Sequence, residues 1–239
     1  MLESLRGREV VLAGGTGGLG SAVTSRLLKE GARVVLGFRS NRERAGMWQA
    51  SATLIQADIA ETAGRMQLLD AAPALYGLVV FAGDPARVAS DADVPSVMSR
   101  SHQINYEGPI LLAREAVARM KAKSVEGAIV LFSTMQANAL FPGSTIYAAQ
   151  KAALQHAARI LARESRPCNI RVNVISPGVI AAGMAKPSIA SGKYDRFLQD
   201  GIIPRFGRIE DVARAVRFLL EPDNYVTGQV LCVDGGMTL

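Results

Sequence analysis

Tyr147 and Lys151 stand four residues apart in the stretch Ile146-Tyr147-Ala148-Ala149-Gln150-Lys151, a spacing that brings two side chains onto one face of a helix. A free tyrosine has a pKa of about 10. A cation held close to it in a partly desolvated cleft favours the phenolate and lowers that value, so the pair predicts a phenol able to exchange protons near neutral pH. The same pattern also suits a solvated Tyr/Lys pair on any amphipathic helix, and the rest of the chain has to decide between the two.

The opening of the chain supplies the first context. Glu9-Val10-Val11-Leu12-Ala13 reads as a short buried strand and runs into Gly14-Gly15-Thr16-Gly17-Gly18-Leu19-Gly20. Ser21 to Glu30 then carries Ala22, Val23, Leu27 and Leu28 at helical spacing and stops at Gly31, a fitting C-terminal cap. Residues 31–37 return as a second buried strand, which completes a βαβ unit. Its glycines allow a tight turn and close approach, and the positive end of the helix dipole favours the diphosphate of a nucleotide. A purely structural glycine turn is the alternative.

Gly14, Gly18 and Gly20 are spaced GxxxGxG, and they are followed in order by Tyr147-xxx-Lys151, Pro177-Gly178 and the terminal Val233-Asp234-Gly235-Gly236. With these four motifs the chain resembles the short-chain dehydrogenase/reductase family over essentially its whole length, and most of all the 3-oxoacyl-(acyl-carrier-protein) reductases. The resemblance implies an NAD(P)-dependent enzyme that interconverts a carbonyl and a secondary alcohol. Tyr147 would protonate the substrate oxygen, and Lys151 would lower the tyrosine pKa and bond the nicotinamide ribose. The family serine thirteen residues before the tyrosine is Thr134 here, with Ser133 one position earlier as the alternative. Asn105 matches the asparagine that kinks a long helix and holds a water against the lysine.

The same resemblance places Gly14, Thr16, Gly17, Gly18, Leu19 and Gly20 against the cofactor diphosphate, with Asp58 and Ile59 near the adenine. Ala82, Gly83, Pro177, Gly178 and Ile180 would line the nicotinamide side. At the end of the second strand, Gly37-Phe38-Arg39-Ser40-Asn41 has Phe38 where an NAD site usually places a carboxylate. Arg39 offers a guanidinium fork suited to a 2′-phosphate, so NADP(H) is expected over NAD(H). Arg39 could equally be a solvated loop residue, and Gly17 stands where NADP-dependent relatives often carry a second basic group. Asp58 could alternatively cap a helix. Two departures stand out: Val80-Phe81-Ala82-Gly83 replaces the family's Asn-Asn-Ala-Gly, so something apolar must brace the central strand, and Ala182 replaces a threonine that contacts the carboxamide. A catalytically impaired dinucleotide-binding protein is one alternative, and a dehydrogenase of a sugar, steroid or polyketide alcohol is another.

These groups need a scaffold, and the apolar periodicity supplies one. Buried runs predict strands near 8–13, 33–38, 53–57, 77–82, 128–132, 170–175 and 229–233. Three- and four-residue spacing predicts helices near 21–30, 43–49, 62–72, 96–121, 145–164 and 210–220. Strands alternating with helices imply an α/β fold, a Rossmann-type doubly wound parallel sheet of about seven strands with helices on both faces. The glycine turn, Arg39, Asp58, Ala82-Gly83, Ser133-Thr134 and Pro177-Gly178 then each follow the carboxyl end of a strand, where such sheets bind ligands. At 239 residues and 49% hydrophobic composition the chain suits a single domain over 1–239, with no repeat or linker composition to divide it.

Only Cys168 and Cys232 are present, without metal-ligand spacing, so no metal is expected. Glu3 and the short apolar run after it argue against a signal peptide, and no stretch is long enough to span a bilayer, so a cytoplasmic location is expected. The net charge of +6 raises nucleic acid as a partner, but aromatics are only 5% and no recognition motif is present. A small molecule or acyl thioester, or an acidic acyl carrier protein, is the better recipient of that charge. By resemblance 184–208 is a substrate lid, and its Lys186, Lys193, Arg196, Arg205 and Arg208 against Asp195 and Asp200 suit a phosphopantetheine or CoA thioester, or simply a solvated surface. His102 and His156 lack paired ligands. Ala148, Ala149, Ala152, Ala153, Ala157, Ala158 and Ala162 give the Tyr147 helix small faces, which with the apolar C-terminus point to a homotetramer. Ala158→Glu is then a candidate probe of the helix interface.

Overall fold

The structure, a computed structural model, describes residues 5–200 and 202–239, without the side chains of Met184, Arg196 and Asp200. The reading made of Glu3 and the charges assigned to Arg196 and Asp200 therefore lie outside the described residues. In chain order the elements are β1 (Glu9–Ala13), α1 (Gly18–Lys29), β2 (Arg33–Phe38), α2 (Arg42–Gly46), β3 (Thr53–Gln56), α3 (Thr62–Asp70) and β4 (Leu75–Val80). There follow α4 (Val94–His102), a π-helical turn (Gln103–Glu107), α5 (Gly108–Ala122), β5 (Gly127–Phe132), α6 (Thr145–Glu164) and β6 (Ile170–Pro177). The chain ends with α7 (Lys186–Ala190), α8 (Arg196–Asp200), α9 (Ile209–Leu220) and β7 (Val230–Val233). Seven strands, all parallel, form one sheet in the order β3-β2-β1-β4-β5-β6-β7. The order reverses between β1 and β4, and that switch opens a crevice beyond the carboxyl ends of the strands.

The period-two alternation of a strand sorts the core into two faces. Val11, Ala13, Val35, Leu78, Val80, Ile129, Leu131, Val172 and Val174 pack with Leu112 and Ala116 of α5 and Leu154, Ala158 and Leu161 of α6. Val10, Leu12, Val34, Leu36, Val79, Val130 and Phe132 point the other way, onto Val23 and Leu27 of α1 and Val212, Val216 and Leu219 of α9. On α6 the buried positions Lys151, Leu154, Ala158, Leu161 and Ala162 form one stripe, so the lysine is the polar end of an otherwise apolar seam. Ala158 is 1% exposed inside its own subunit. It is therefore a core residue and not the interface probe the sequence offered; the outward face of α6 carries Ala149, Ala152, Ala153 and His156 instead.

Two of the differences from the sequence expectation bear on the site. The fourth strand ends two residues early, because Val80 is its last rung beside Ala13 and Leu131; Phe81 N still donates to Ala13 O at 2.8 Å, and Ala82 and Gly83 turn away into the loop. The helix expected over 96–121 runs from Val94 to Ala122 but widens into the π turn at its middle. Pro109 explains the break, since it has no N–H to occupy the Asn105 carbonyl four residues earlier. Among the described residues no helix is long and apolar enough to cross a membrane.

Candidate active site

The glycine turn links β1 to α1 by backbone alone. Gly14 adopts φ +83°, donates its N–H to Gly37 O on β2 at 2.9 Å, and its carbonyl accepts from Gly17 N at 3.1 Å. A Cβ on Gly20 would lie 2.6 Å from Gly15 Cα, so only glycine lets the helix begin this close to the strand. Thr16 is buried, and Thr24 ties the turn to the first helix by donating to Gly15 O at 3.1 Å. Leu19 packs against the α1/α9 face of the core. No side chain caps α1, and its first turn carries no acidic residue. The first-turn amides thus stay open to an anion at the positive end of the helix dipole, which is the fit a cofactor diphosphate requires. Gly18 faces Gly183, just before the 184–208 segment.

Arg39 and Asp58 leave the ends of β2 and β3 side by side, with Arg39 Nη1 3.9 Å from Asp58 Oδ2 and the arginine side chain 62% exposed. Asp58 does not cap α3; its Oδ1 instead accepts from Ala60 N at 3.0 Å in a local turn, and Glu61 occupies the N-cap. Ile59 is buried, its carbonyl taken by Arg65 at 3.0 Å. The apolar brace required by the loss of the family asparagines is visible: the Phe81 and Phe132 rings lie 4.7 Å apart. Ala82 and Gly83 follow Phe81 in the loop, with Ala82 N facing Gly14. On the far side Gly178, after Pro177, donates to Val233 O at 3.0 Å, and Ile180 is buried and bridges to Gly207.

Thr134 closes the end of β5 in an extended conformation, where its hydroxyl accepts from Gln136 N at 3.4 Å and is a hydrogen-bond partner of the Tyr147 phenol. Ser133 points onto α6, donating to Lys151 O at 3.1 Å and accepting from Gln155 Nε2 at 2.9 Å. Lys151 is 2% exposed and donates from Nζ to Phe132 O at 2.9 Å. Burial pulls its pKa down to about 7. Burial pushes the Tyr147 phenol up to about 12, against the opposing hydrogen bond from Thr134, with Tyr194 and Asp84 pushing further in the same direction. The sequence predicts a lowered phenol, and here desolvation outweighs any neighbouring cation, because the lysine is itself desolvated and turned to a carbonyl.

Asn105 is fully buried and clamps the loop after β4: its Oδ1 accepts from Asp84 N at 3.0 Å, and its Nδ2 donates to Asp84 O at 2.8 Å and to Ser101 Oγ at 3.0 Å. Its side-chain amide is thus engaged with this loop. Sequence reasoning missed Asp84, which Arg100 Nε reaches at 3.0 Å, and also Gln155, whose Nε2 holds Ser133 and Asn138 Oδ1. No motif signals them, since their partners are remote in sequence. Gln155 does fall one helical turn after Lys151, which is the single cue available. A cavity of about 400 Å³ lies elsewhere, between Ile180, Ile203, Arg205, Asp211, Cys232 and Leu239. Among the described residues no cluster of His, Cys, Asp or Glu could hold a metal ion.

Known proteins share this plan. The sequence model of a family described as enoyl-(acyl carrier protein) reductase matches residues 13–238, and the 3β-hydroxysteroid dehydrogenase 1 of Eggerthella lenta is 33% identical over 256 residues, which cover 100% of this chain and 97% of that protein. The chain belongs to the short-chain dehydrogenase/reductase family. Like its relatives it is an oxidoreductase of carbonyl and secondary-alcohol groups. The NADPH-dependent aldehyde reductase 2 of Arabidopsis thaliana is 28% identical over 261 residues, 98% of this chain and 95% of that one. A solved short-chain type dehydrogenase/reductase from Mycobacterium ulcerans superposes with a TM-score of 0.91 at 27% identity, covering 99% of this chain and 91% of the other.

Proposed function

We propose that this short-chain reductase uses NADP(H) and reduces a ketone or aldehyde with Tyr147 as the proton donor. The observation that carries the reading is the Thr134–Tyr147 hydrogen bond at the carboxyl end of the sheet, with Lys151 buried one turn further along α6. The cofactor, when bound, supplies the hydride. Tyr147 holds its proton throughout the neutral range, which is the state that carbonyl reduction needs. Thr134 donates to the substrate oxygen and fixes it between two hydroxyls, so that the proton leaves the phenol along a short path as negative charge develops. Lys151 bonds the ribose and keeps the tyrosine side of the cleft positive when it is charged, and Asn105 fixes the Asp84 loop that borders the pocket.

Gly14, Thr16, Gly17, Gly18, Leu19 and Gly20 hold the diphosphate. Arg39 reads the 2′-phosphate, a role supported by Phe38 in place of an acid and by the exposed guanidinium; Asp58 and Ile59 border the adenine. Ala82, Gly83, Pro177, Gly178 and Ile180 flank the nicotinamide, and 184–208 closes over substrate. The exposed face of α6 and the apolar C-terminus, where Leu239 is 96% exposed, support a homotetramer, for which Ala153→Glu replaces Ala158→Glu as the probe by light scattering.

A second reading, 3-oxoacyl thioester reduction, is supported by the exposed Lys186 and Lys193 of the lid and by the acyl-carrier description of the matching family. Cofactor oxidation measured with NADPH and NADH against simple ketones, aldehydes and 3-oxoacyl thioesters tests both readings. NADPH-dependent turnover of a carbonyl is expected, and turnover with NADH alone would overturn the cofactor assignment.

A further inference from the structure

Aromatic side chains are scarce in this chain, one Trp, five Tyr and seven Phe in 239 residues, yet four of them gather at one place. Phe141, just before α6, stacks on Phe197 of α8 with ring centroids 5.3 Å apart and planes 15° from parallel. Phe197 in turn meets Tyr194 at 6.1 Å and 53°. Tyr194 lies within electrostatic reach of the Tyr147 phenol, and Phe141 precedes Tyr147 by six residues in the turn that opens α6. Phe141 is tied to the same helix start, since its carbonyl accepts from Ser144 N at 3.2 Å. Phe141, Tyr194 and Phe197 belong to neither core face, whereas Tyr76, Phe81 and Phe132 do. All three are half-buried. Leu140 beside them is 99% exposed.

Rings outside a core that line the mouth of a reaction site offer flat apolar faces at low conformational cost. A linear acyl thioester has no flat surface to match them. We propose that Phe141, Tyr194 and Phe197 form an aromatic wall beside Tyr147 that selects a flat apolar ring, an aromatic or fused alicyclic ketone, over a linear acyl thioester. This rests on the carbonyl-reductase reading and names the substrate class of that same site.

The test uses the full chain and two probes. The first is equilibrium binding of 2-naphthol, followed by saturation-transfer NMR, in the parent protein and in Phe197→Ala, Phe141→Ala and the conservative Phe197→Tyr. The second is the steady-state rate with 2-tetralone and with acetoacetyl-CoA. The expected result is a naphthol Kd raised about tenfold in each alanine variant, the scale of one lost aromatic contact, and restored in Phe197→Tyr. 2-Tetralone should have the higher kcat/KM, and Phe197→Ala should raise its KM with little change in kcat. A naphthol Kd indifferent to both alanine variants, or acetoacetyl-CoA as the better substrate, overturns the aromatic wall. If naphthol binding follows the variants while no carbonyl is reduced, the wall stands and the carbonyl-reductase reading falls.

Discussion

The two ends of the crevice are built by different means. At the β1–α1 end the work is done by backbone: Gly14 with φ +83°, a helix packed against Gly15, and amides left open at α1. At the β5–α6 end it is done by side chains from distant segments, where Ser133, Asn138, Lys151 and Gln155 bond across seventeen or more residues and Thr134 meets Tyr147 across the strand end. A backbone site depends on which residues lack a side chain. A side-chain site depends on which hydroxyl, amide or ammonium is present, and it can change its chemistry without changing the fold.

This contrast breaks first at Thr134. Replacement by valine keeps the shape and removes the donor, and kcat should fall about a hundred- to a thousandfold in a steady-state assay while NADPH binding and melting temperature hold; Thr134→Ser should remain active. If Ser133→Ala is instead the damaging change, the wrong hydroxyl has been assigned.

The backbone end should respond in the opposite sense. A methyl at Gly20 meets Gly15 Cα at 2.6 Å, so Gly20→Ala must push the helix start away from the strand. Affinity for NADPH, read by fluorescence titration, should drop by about a hundredfold, the scale of a misplacement near 1 Å. A variant that binds NADPH normally would show that the close approach does not set the site. Arg39→Ala combined with Phe38→Asp should be milder, weakening NADPH by about tenfold and improving NADH. An unchanged preference would mean that another cation reads the phosphate.

The sequence carries the backbone end more clearly than the other. GxxxGxG between a strand and a helix marks the turn because glycine there is a steric requirement, and the alternation of Val10, Val11, Leu12 and Ala13 between the two core faces is written in the period of the strand. That Tyr147 and Lys151 share a helix is legible in their spacing, while Thr134 is singled out by the family's interval of thirteen residues and by no local pattern. Gln155, Asp84 and Arg100 were not, since their partners are set by tertiary packing. The ionisation states are hidden from the sequence for the same reason: spacing shows that a lysine lies near a tyrosine, but not that both are desolvated and that the lysine Nζ turns to Phe132 O.

That desolvation has a consequence for stability. Burial lowers Lys151 from its ordinary 10.5 to about 7, so between these values the unfolded chain holds a proton that the folded chain has released. Stability therefore rises with pH across this window through this group, and its full cost is present below about pH 7. Lys151→Met should raise the melting temperature most at and below neutral pH and flatten the rise above it. Parallel melting profiles for the two proteins would mean that the lysine is solvated.

Tyr147→Phe tests the central claim most directly, because it removes one oxygen and its proton from a side chain whose ring remains in place. NADPH oxidation with a responsive ketone and NADPH binding by fluorescence should be measured on the same preparation. Turnover should fall to the background rate with a dissociation constant for NADPH within about twofold of the parent, well under the tenfold that about 1.4 kcal/mol would produce. Undiminished turnover in that variant would contradict the claim.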